Sequence, residues 1–346
     1  MSSTFMMTDK ELRYCVHGVD VRIVTDSHLF IEPATTLLRY FRWDASPSAR
    51  EVSLHLMGHE HRNQIPIRVP VDAEPLCNKS GTAVGDALRQ NWACTISRAG
   101  RTLFADFHEQ GLVVIDSEKG EAHAFLVRPE AMHADILDSY VHFMLTELLR
   151  YHGLFTMHAT SLEKHGLGVL IPGFSGRGKT TTFLSLLRSG YRYLSDDHPM
   201  LRDAGGEIEL LSFPMKVDVT EHTISFFPEL REAGVGVLQP GPRKQFFYVE
   251  DVYAQAAIGN RCKPALILFP HVVDAERSSL ERLPKSQVMQ DLLPQGLVAY
   301  DRDLAGRQFQ VLAKLASQVD CYRLNFGRDV LGLPALIDPL LEAAHT

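Results

Sequence analysis

Only five of the 346 residues are cysteine (Cys15, Cys77, Cys94, Cys262 and Cys321), and no two lie close together in the chain. An odd, scattered set excludes a disulfide framework and a close-pair zinc site. It reads as reduced, structural thiols of a cytoplasmic protein. Positive charge is also short: 35 Lys and Arg against 42 Asp and Glu leave a net charge of -7. That balance argues against nucleic acid or an anionic membrane as the main partner. No apolar run approaches the ~20 residues of a membrane-spanning helix. The opening MSSTFMMTDKELRY has neither the basic start nor the apolar stretch expected of a secretory signal. There is no internal repeat and no low-complexity tract. What remains is the composition of an ordinary soluble protein, 45% hydrophobic and 22% charged. The length allows two domains, or one domain with a long appendage.

One stretch, Leu167 to Asp197, is specific. Gly173, Phe174, Ser175, Gly176, Arg177, Gly178, Lys179 and Thr180 spell the full G-x-x-x-x-G-K-[ST] pattern of a phosphate-binding loop, with Thr181 following. Leu167 to Ile171 before it is a short apolar run that reads as a buried strand. Thr180 to Leu187 after it reads as a helix stopped by Gly190. Glycines let the backbone fold around an anion, so that N–H groups at the helix start face phosphate oxygens. Lys179 then reaches the outer phosphates and the Thr180 hydroxyl can ligate Mg²⁺. These nine residues, 173 to 181, are the expected binding site for ATP or GTP.

The next strand-like run, Tyr191 to Leu194, leads directly to Asp196 and Asp197. In most phosphate-loop proteins the acidic metal partner comes after further strand–helix units. Successive strand residues face opposite ways, so the two carboxylates are expected to divide the work. One can hold the metal, and the other can face an incoming hydroxyl. Turn or capping aspartates before His198-Pro199 are the bland alternative.

The run MHATSLEKHGLGVLIPGFSGRGKTTTFLSLLRSGYRYLSDD, residues 157 to 197, resembles the core of the bacterial HPr kinase/phosphorylase family. That family shares its catalytic fold with phosphoenolpyruvate carboxykinases. The likeness rests on His158-Ala159, the loop, Gly190-Tyr191 and the Asp pair. It is looser to about residue 330, and the first 130 residues do not resemble the usual substrate-sensing N-terminal domain. The nearest type is the compact HPr-kinase-related protein, some examples of which phosphorylate serine on small ribosomally made peptides. The resemblance implies an α/β phosphate-loop kinase core with a mixed sheet. It places His158 beside the outer phosphates, makes Asp196 the general base and makes Asp197 the Mg²⁺ partner. The family's second metal-binding glutamate has no clear equivalent near Phe213 to Asp218, where Lys216 is the conspicuous charge. A basic residue in a later loop would correspond to Arg243 or Lys244.

Residues 10 to 130 read as β-rich, with short runs at 21–24, 52–56, 65–69, 93–96, 102–107, 112–115 and 124–127. Helices are expected at 34–41, 83–90 and, as an amphipathic stripe, 132–152. His55, His59 and His61 lack metalloprotease spacing and read as strand and loop residues. Beyond the Asp pair the pattern gives a hairpin around Ala204-Gly205-Gly206, a strand at 213–218, a helix at 220–231 and a strand at 246–249. A central strand at 265–269 follows, then helices at 286–293 and 303–317, a strand at 321–324 and a closing helix at 330–344. The expected domains are a β-rich domain over 1–130, a candidate acceptor-binding part, and an HPr-kinase-like catalytic domain over 131–346. The expected function is a Mg²⁺-dependent kinase moving the γ-phosphate of ATP to a serine hydroxyl of a protein or peptide. His158, Lys179 and Asp196 would be catalytic; Thr180 and Asp197 would bind metal. A small-molecule kinase, a carboxykinase-like enzyme and a nucleotide-binding switch stay open. No nucleic-acid or membrane partner is expected, and the family's habit of oligomerising leaves a homo-oligomer open.

Overall fold

The computed structural model describes residues 10–43, 48–79, 93–174, 176–235, 244–254 and 257–345. Ser175, Arg243, the expected helix at 83–90 and most of the surface loop expected at 44–48 lie outside the described residues. The chain divides into two compact units, Met1–Leu154 and Phe155–Thr346.

The first unit contains strands β1 (Lys10–Val16), β2 (Val19–Thr25), β3 (Glu51–His59), β4 (Glu74–Lys79), β5 (Cys94–Ala99), β6 (Thr102–Asp106), β7 (Gly111–Asp116) and β8 (Glu121–Val127), with helices α1 (Ile31–Leu37) and α2 (Ala134–Tyr151). The strands form one sheet in the order β1-β2-β3-β8-β7-β6-β5-β4. Pairing is antiparallel except for β2–β3 and β3–β8. A parallel neighbour needs a crossover, and α1 lies in the one between β2 and β3. Helix α2 buries Leu137, Tyr140, Val141, Met144, Leu145, Leu148 and Leu149 against α1, β3, β7 and β8, while Met132 and Ile136 of the expected stripe are only half-buried. The unit boundary therefore falls after Leu154 and not near residue 130.

Two edge strands, β1 and β4, escape the sequence reading. Their sequences, KELRYCV and EPLCNK, carry the charge and proline typical of sheet edges, where no second face must be apolar. Conversely, 65–69 forms no strand. Ile65 is buried with Phe104, Leu112, Val114 and Phe125, and Ile67 and Val69 pack against them. Pro66 and Pro70 bring no N–H to a ladder, so the segment covers the sheet without joining it. His59 ends β3 and is not in the following loop.

The second unit contains β9 (Phe155–Thr156), β10 (Ala159–Lys164), β11 (Leu167–Pro172), α3 (Lys179–Arg188), β12 (Arg192–Ser195), β13 (Met200–Ala204), β14 (Glu207–Leu211), β15 (Val217–Thr220), α4 (Glu221–Ile224), α5 (Pro228–Glu232), β16 (Lys244–Phe247), α6 (Val249–Val252), β17 (Arg261–Val272), β18 (Ser279–Arg282), α7 (Lys285–Gly296), α8 (Arg302–Gln318), β19 (Asp320–Phe326) and α9 (Leu333–His345). Strand β17 is the spine. Its first residues pair antiparallel with β14, and the rest runs parallel to β11 and β19. β10 is antiparallel to both β11 and β12. The sheet is therefore mixed, with α3 and α9 over one face and α7 and α8 over the other. Alternation places Val169 and Ile171 of β11, with Leu266 and Leu268 of β17, on the α3 face. Leu170 and Ile267 face α7 and α8.

Several expected elements change shape locally. The strand expected at 213–218 begins only at Val217, after Pro214. The helix expected at 220–231 splits into α4 and α5, with Pro228 opening the second, the position a proline tolerates. The run at 246–249 is strand only to Phe247. Among the described residues no helix is long and apolar enough to cross a membrane.

Gly168 sets how closely β11 approaches β17. A Cβ there would lie 2.7 Å from Cys262 Sγ and 2.8 Å from Leu210 Cδ2. Gly168→Ala is expected to destabilise the fold by about 1–3 kcal/mol, the usual overpacking penalty. Urea unfolding with an unchanged midpoint would show that the junction is looser than this.

Candidate active site

The loop connects the end of β11 to α3, at the carboxyl edge of the parallel strands, where α/β sheets bind ligands. Gly173, Gly176 and Gly178 have φ of +152°, +80° and +98°, values that a residue with a Cβ adopts only under strain. Gly178 is the N-cap of α3 and offers no capping side chain. The first N–H groups of a ten-residue helix are thus left for an anion in front of the loop. Phe174, the second motif residue, is 55% exposed; Thr181 is buried and Thr180 half-buried.

Lys179 does not reach into solvent. It is 6% exposed, and its Nζ donates to the Gly173 carbonyl at 2.7 Å. It also lies 3.3 Å from Asp197 Oδ1 and 3.0 Å from His158 Nε2. His158 Nε2 is 3.2 Å from the same Asp197 oxygen. One ring nitrogen can serve only one of these neighbours as partner: unprotonated it accepts from Lys179, protonated it donates to Asp197. A cation, an imidazole and a carboxylate therefore meet at one point, and they come from three places in the sequence. His158 precedes β10, and its backbone N–H donates to the Gln295 carbonyl at 2.7 Å.

The two carboxylates diverge, but β12 ends at Ser195 and both aspartates follow it, so strand alternation is not what separates them. Asp196 turns inward, 5% exposed, and its Oδ1 accepts from the Thr160 hydroxyl at 2.6 Å. Its backbone N–H donates to the Tyr193 hydroxyl at 3.0 Å. Asp197, just past β12, takes a left-handed conformation with φ of +69°, which turns its carboxylate toward Lys179 and His158. Burial pushes the Asp196 carboxyl up to about 7, and the charges of Asp197 and Asp218 act the same way against the Thr160 hydrogen bond and Lys179. Burial would raise Asp197 too. The His158 hydrogen bond and the charges of Lys179, His158 and His198 outweigh it and hold Asp197 well below the usual carboxylate range.

Asp218 is the acidic neighbour the sequence reading overlooked. It sits in β15 opposite Phe246 of β16. Phe246 is more than half exposed, and the Lys216 ammonium lies 4.8 Å from its ring centroid. The alternation Lys216-Val217-Asp218 was the available signal, since Val217 is buried and the residues on either side share the opposite face. Lys244 begins β16, while the rest of the basic loop lies outside the described residues. His55 stacks on His123 in the first unit with ring centroids 4.5 Å apart.

The arrangement fits a magnesium nucleotide. Loop N–H groups and Lys179 could take phosphates, while the Thr180 hydroxyl and an ionised Asp197 could supply the hard oxygen ligands Mg²⁺ prefers. Among the described residues no three His, Cys, Asp or Glu side chains gather into a ready-made metal cage. Mg²⁺ bound mainly through substrate phosphates and water asks for none.

No family model matches the chain. It is 32% identical over 183 residues to the HPr kinase/phosphorylase of Bordetella pertussis, covering 51% of this chain and 51% of that protein. It is 33% identical over 100 residues to the HPr kinase/phosphorylase of an Exiguobacterium species, covering 29% of this chain and 31% of that one. The chain thus spans at most about half the length of these curated relatives. A solved structure of the Hpr(Ser) kinase/phosphatase from Coxiella burnetii aligns with a TM-score of 0.28 and 15% identity, over 55% of this chain and 95% of that one. At that score the fold rests on the strand order and loop described above.

The Asp196 environment has a measurable consequence. A carboxyl that keeps its proton to about 7 when folded, but only to about 3.9 when unfolded, makes the fold lose stability as pH rises between those values. Asp196→Asn removes that loss. In the nucleotide-free protein, the melting temperature of the variant relative to wild type should rise from pH 4 to pH 8. A difference that does not change with pH would show that Asp196 ionises normally.

Proposed function

We propose that this chain, which is HPr kinase-like over half its length, is an ATP-dependent kinase that phosphorylates a serine hydroxyl on a protein or peptide. The observation that carries the reading is the division of the Asp pair: Asp196 is buried against the Thr160 hydroxyl and held toward neutrality, while Asp197 is paired with the loop lysine and held ionised. A base works best with a pKa near the operating pH, which Asp196 meets. A metal partner should stay ionised, which Asp197 meets. GTP would be bound by the same phosphate contacts.

Lys179 would leave its contact with Asp197 for the outer phosphates and balance the charge that develops there. Thr180 and Asp197 would hold Mg²⁺, which would supply charge neutralisation at the phosphates. Asp196 accepts the proton of the acceptor hydroxyl as its oxygen bonds to the γ-phosphorus and the bond to the bridging oxygen breaks. His158 hydrogen-bonds whichever of Lys179 and Asp197 remains beside it. The near-complete burial of Asp196 favours one competing reading, a nucleotide-binding switch in which the Thr160–Asp196 bond is purely structural.

Paired variants separate the two. Asn keeps the shape and hydrogen bonding of Asp but takes no proton at neutral pH. Asp196→Asn should bind Mg-ATP almost as wild type and lose turnover by ~10²-fold or more. Asp197→Asn should weaken Mg²⁺-dependent nucleotide binding as well. The readouts are Mg-ATP titrations alongside a phosphoserine assay on purified HPr and on serine-containing peptides. Wild-type transfer rates in Asp196→Asn would leave the switch, or another base, as the better account.

A further inference from the structure

Asp196 lies one residue past the end of β12 at Ser195, where the strand ladder no longer holds it. Two hydroxyls hold it instead. Its backbone N–H donates to the Tyr193 hydroxyl at 3.0 Å. The same hydroxyl accepts from the Met215 N–H at 3.1 Å and donates to the Met215 carbonyl at 3.0 Å. Asp196 Oδ1 accepts from the Thr160 hydroxyl at 2.6 Å.

The register between β10 and β12 is what brings Thr160 to that oxygen. Leu162 pairs with Tyr193 and Ser161 with Ser195, so Leu194 is an extra residue on β12. An unbroken ladder would set Ser195 against Thr160; the bulge sets Asp196 there. Bulges re-aim side chains in this way and are over-represented next to active sites. The extra residue is tied down, since the Leu194 carbonyl accepts from the Phe213 N–H at 3.1 Å and the Ser195 hydroxyl donates to the Phe213 carbonyl at 2.7 Å. Thr160 is fully buried. Valine would fill that volume as well, so packing alone does not ask for a hydroxyl, and a buried hydroxyl is kept where it has a partner. Among the described residues no donor reaches the other Asp196 oxygen, Oδ2, and that oxygen is not sealed from solvent.

We propose that Thr160 is a positioning residue for phosphoryl transfer: by engaging Oδ1 it fixes the rotation of the Asp196 carboxylate and leaves Oδ2 as the oxygen that meets the acceptor hydroxyl. The inference rests on the kinase reading above. During transfer the acceptor oxygen bonds to the γ-phosphorus and its proton passes to Oδ2. The bond to the bridging oxygen breaks, and its electron pair leaves on the nucleoside diphosphate. Without the Thr160 donor the carboxylate can turn about its last side-chain torsion, which is broad in aspartate. A misplacement of ~1 Å costs about 10²-fold in such a step.

The test measures phosphoserine formation on purified HPr and on an arrayed library of serine-containing peptides, with a fluorescent ATP analogue reporting nucleotide affinity. Thr160→Val should lower kcat by ~10-fold or more, while acceptor KM and analogue affinity stay near wild type. Thr160→Ser, which keeps the hydroxyl, should restore most of the rate. In an Asp196→Asn background Thr160→Val should cost nothing further, because the group it positions is gone. A wild-type kcat in folded Thr160→Val, with Asp196→Asn impaired, overturns the proposal and leaves the kinase reading standing. So does a loss that Thr160→Ser fails to restore, or one of equal size in the Asp196→Asn background. Analogue binding weakened in step with kcat would place the effect at the nucleotide and overturn it too. If Thr160→Val does not fold, Thr160→Ala against Thr160→Ser makes the same comparison. A wild type that phosphorylates neither probe, or an Asp196→Asn that transfers at the wild-type rate, removes the kinase reading and this role with it.

Discussion

A buried ammonium is the constraint around which the second unit is built. Taking a lysine out of water is expensive unless its charge is paired and its protons are used. Lys179 meets that demand with the Gly173 carbonyl, the Asp197 carboxylate and the His158 ring. Each partner is placed by a different element: Gly173 by the end of β11, Asp197 by a left-handed turn after β12, His158 by the lead into β10. Losing Asp197 would leave the charge uncompensated, and losing Gly173 or His158 would leave a proton of the ammonium without its partner. The same pairing keeps Asp197 ionised, while its neighbour Asp196, facing the core and Asp218, is driven toward neutrality.

Residues with opposite protonation preferences, one peptide bond apart, give the site more chemistry than a phosphate loop alone. A loop with its lysine binds anions; so do switches and carboxykinases. An adjoining carboxyl whose affinity for protons lies near neutrality adds a place for a proton to go. The Thr160 hydroxyl that holds Asp196 Oδ1 comes from β10, so the strand pairing that builds the sheet also fixes this carboxyl.

The loop, the Asp pair, the long helices and most strands of the second unit were legible in the sequence because their signals are local; β9, β10 and β18 were not delimited. Glycine spacing reports backbone conformation, and apolar period reports which face is buried. His158 was legible only through a family resemblance, because one histidine before a strand carries no spacing rule. Asp218 and Gln295 were not legible at all. Asp218 comes near Asp196 only once the segment before β15 bonds to β12, where Ser195 Oγ donates to the Phe213 carbonyl and the Tyr193 hydroxyl to the Met215 carbonyl. Gln295 reaches the site because its carbonyl takes the His158 N–H. Neither relation exists until the sheet has formed. In the first unit, Ile65, Ile67 and Val69 showed the alternation of a strand and are packed like one. Pro66 and Pro70 decided against the ladder, a case where a missing N–H outweighs an apolar pattern. The edge strands β1 and β4 failed the opposite way, being paired but too polar to stand out.

The central claim is that the Lys179 cluster is a phosphate site held closed by its own countercharges. Calorimetric titration of Mg-ATP into wild type and Lys179→Ala tests it most directly. Wild type should bind, and the variant should bind at least ~10-fold more weakly, since hydrogen bonds to charged phosphate are lost. Equal affinity in the two proteins, both folded, would place the nucleotide elsewhere and contradict the account.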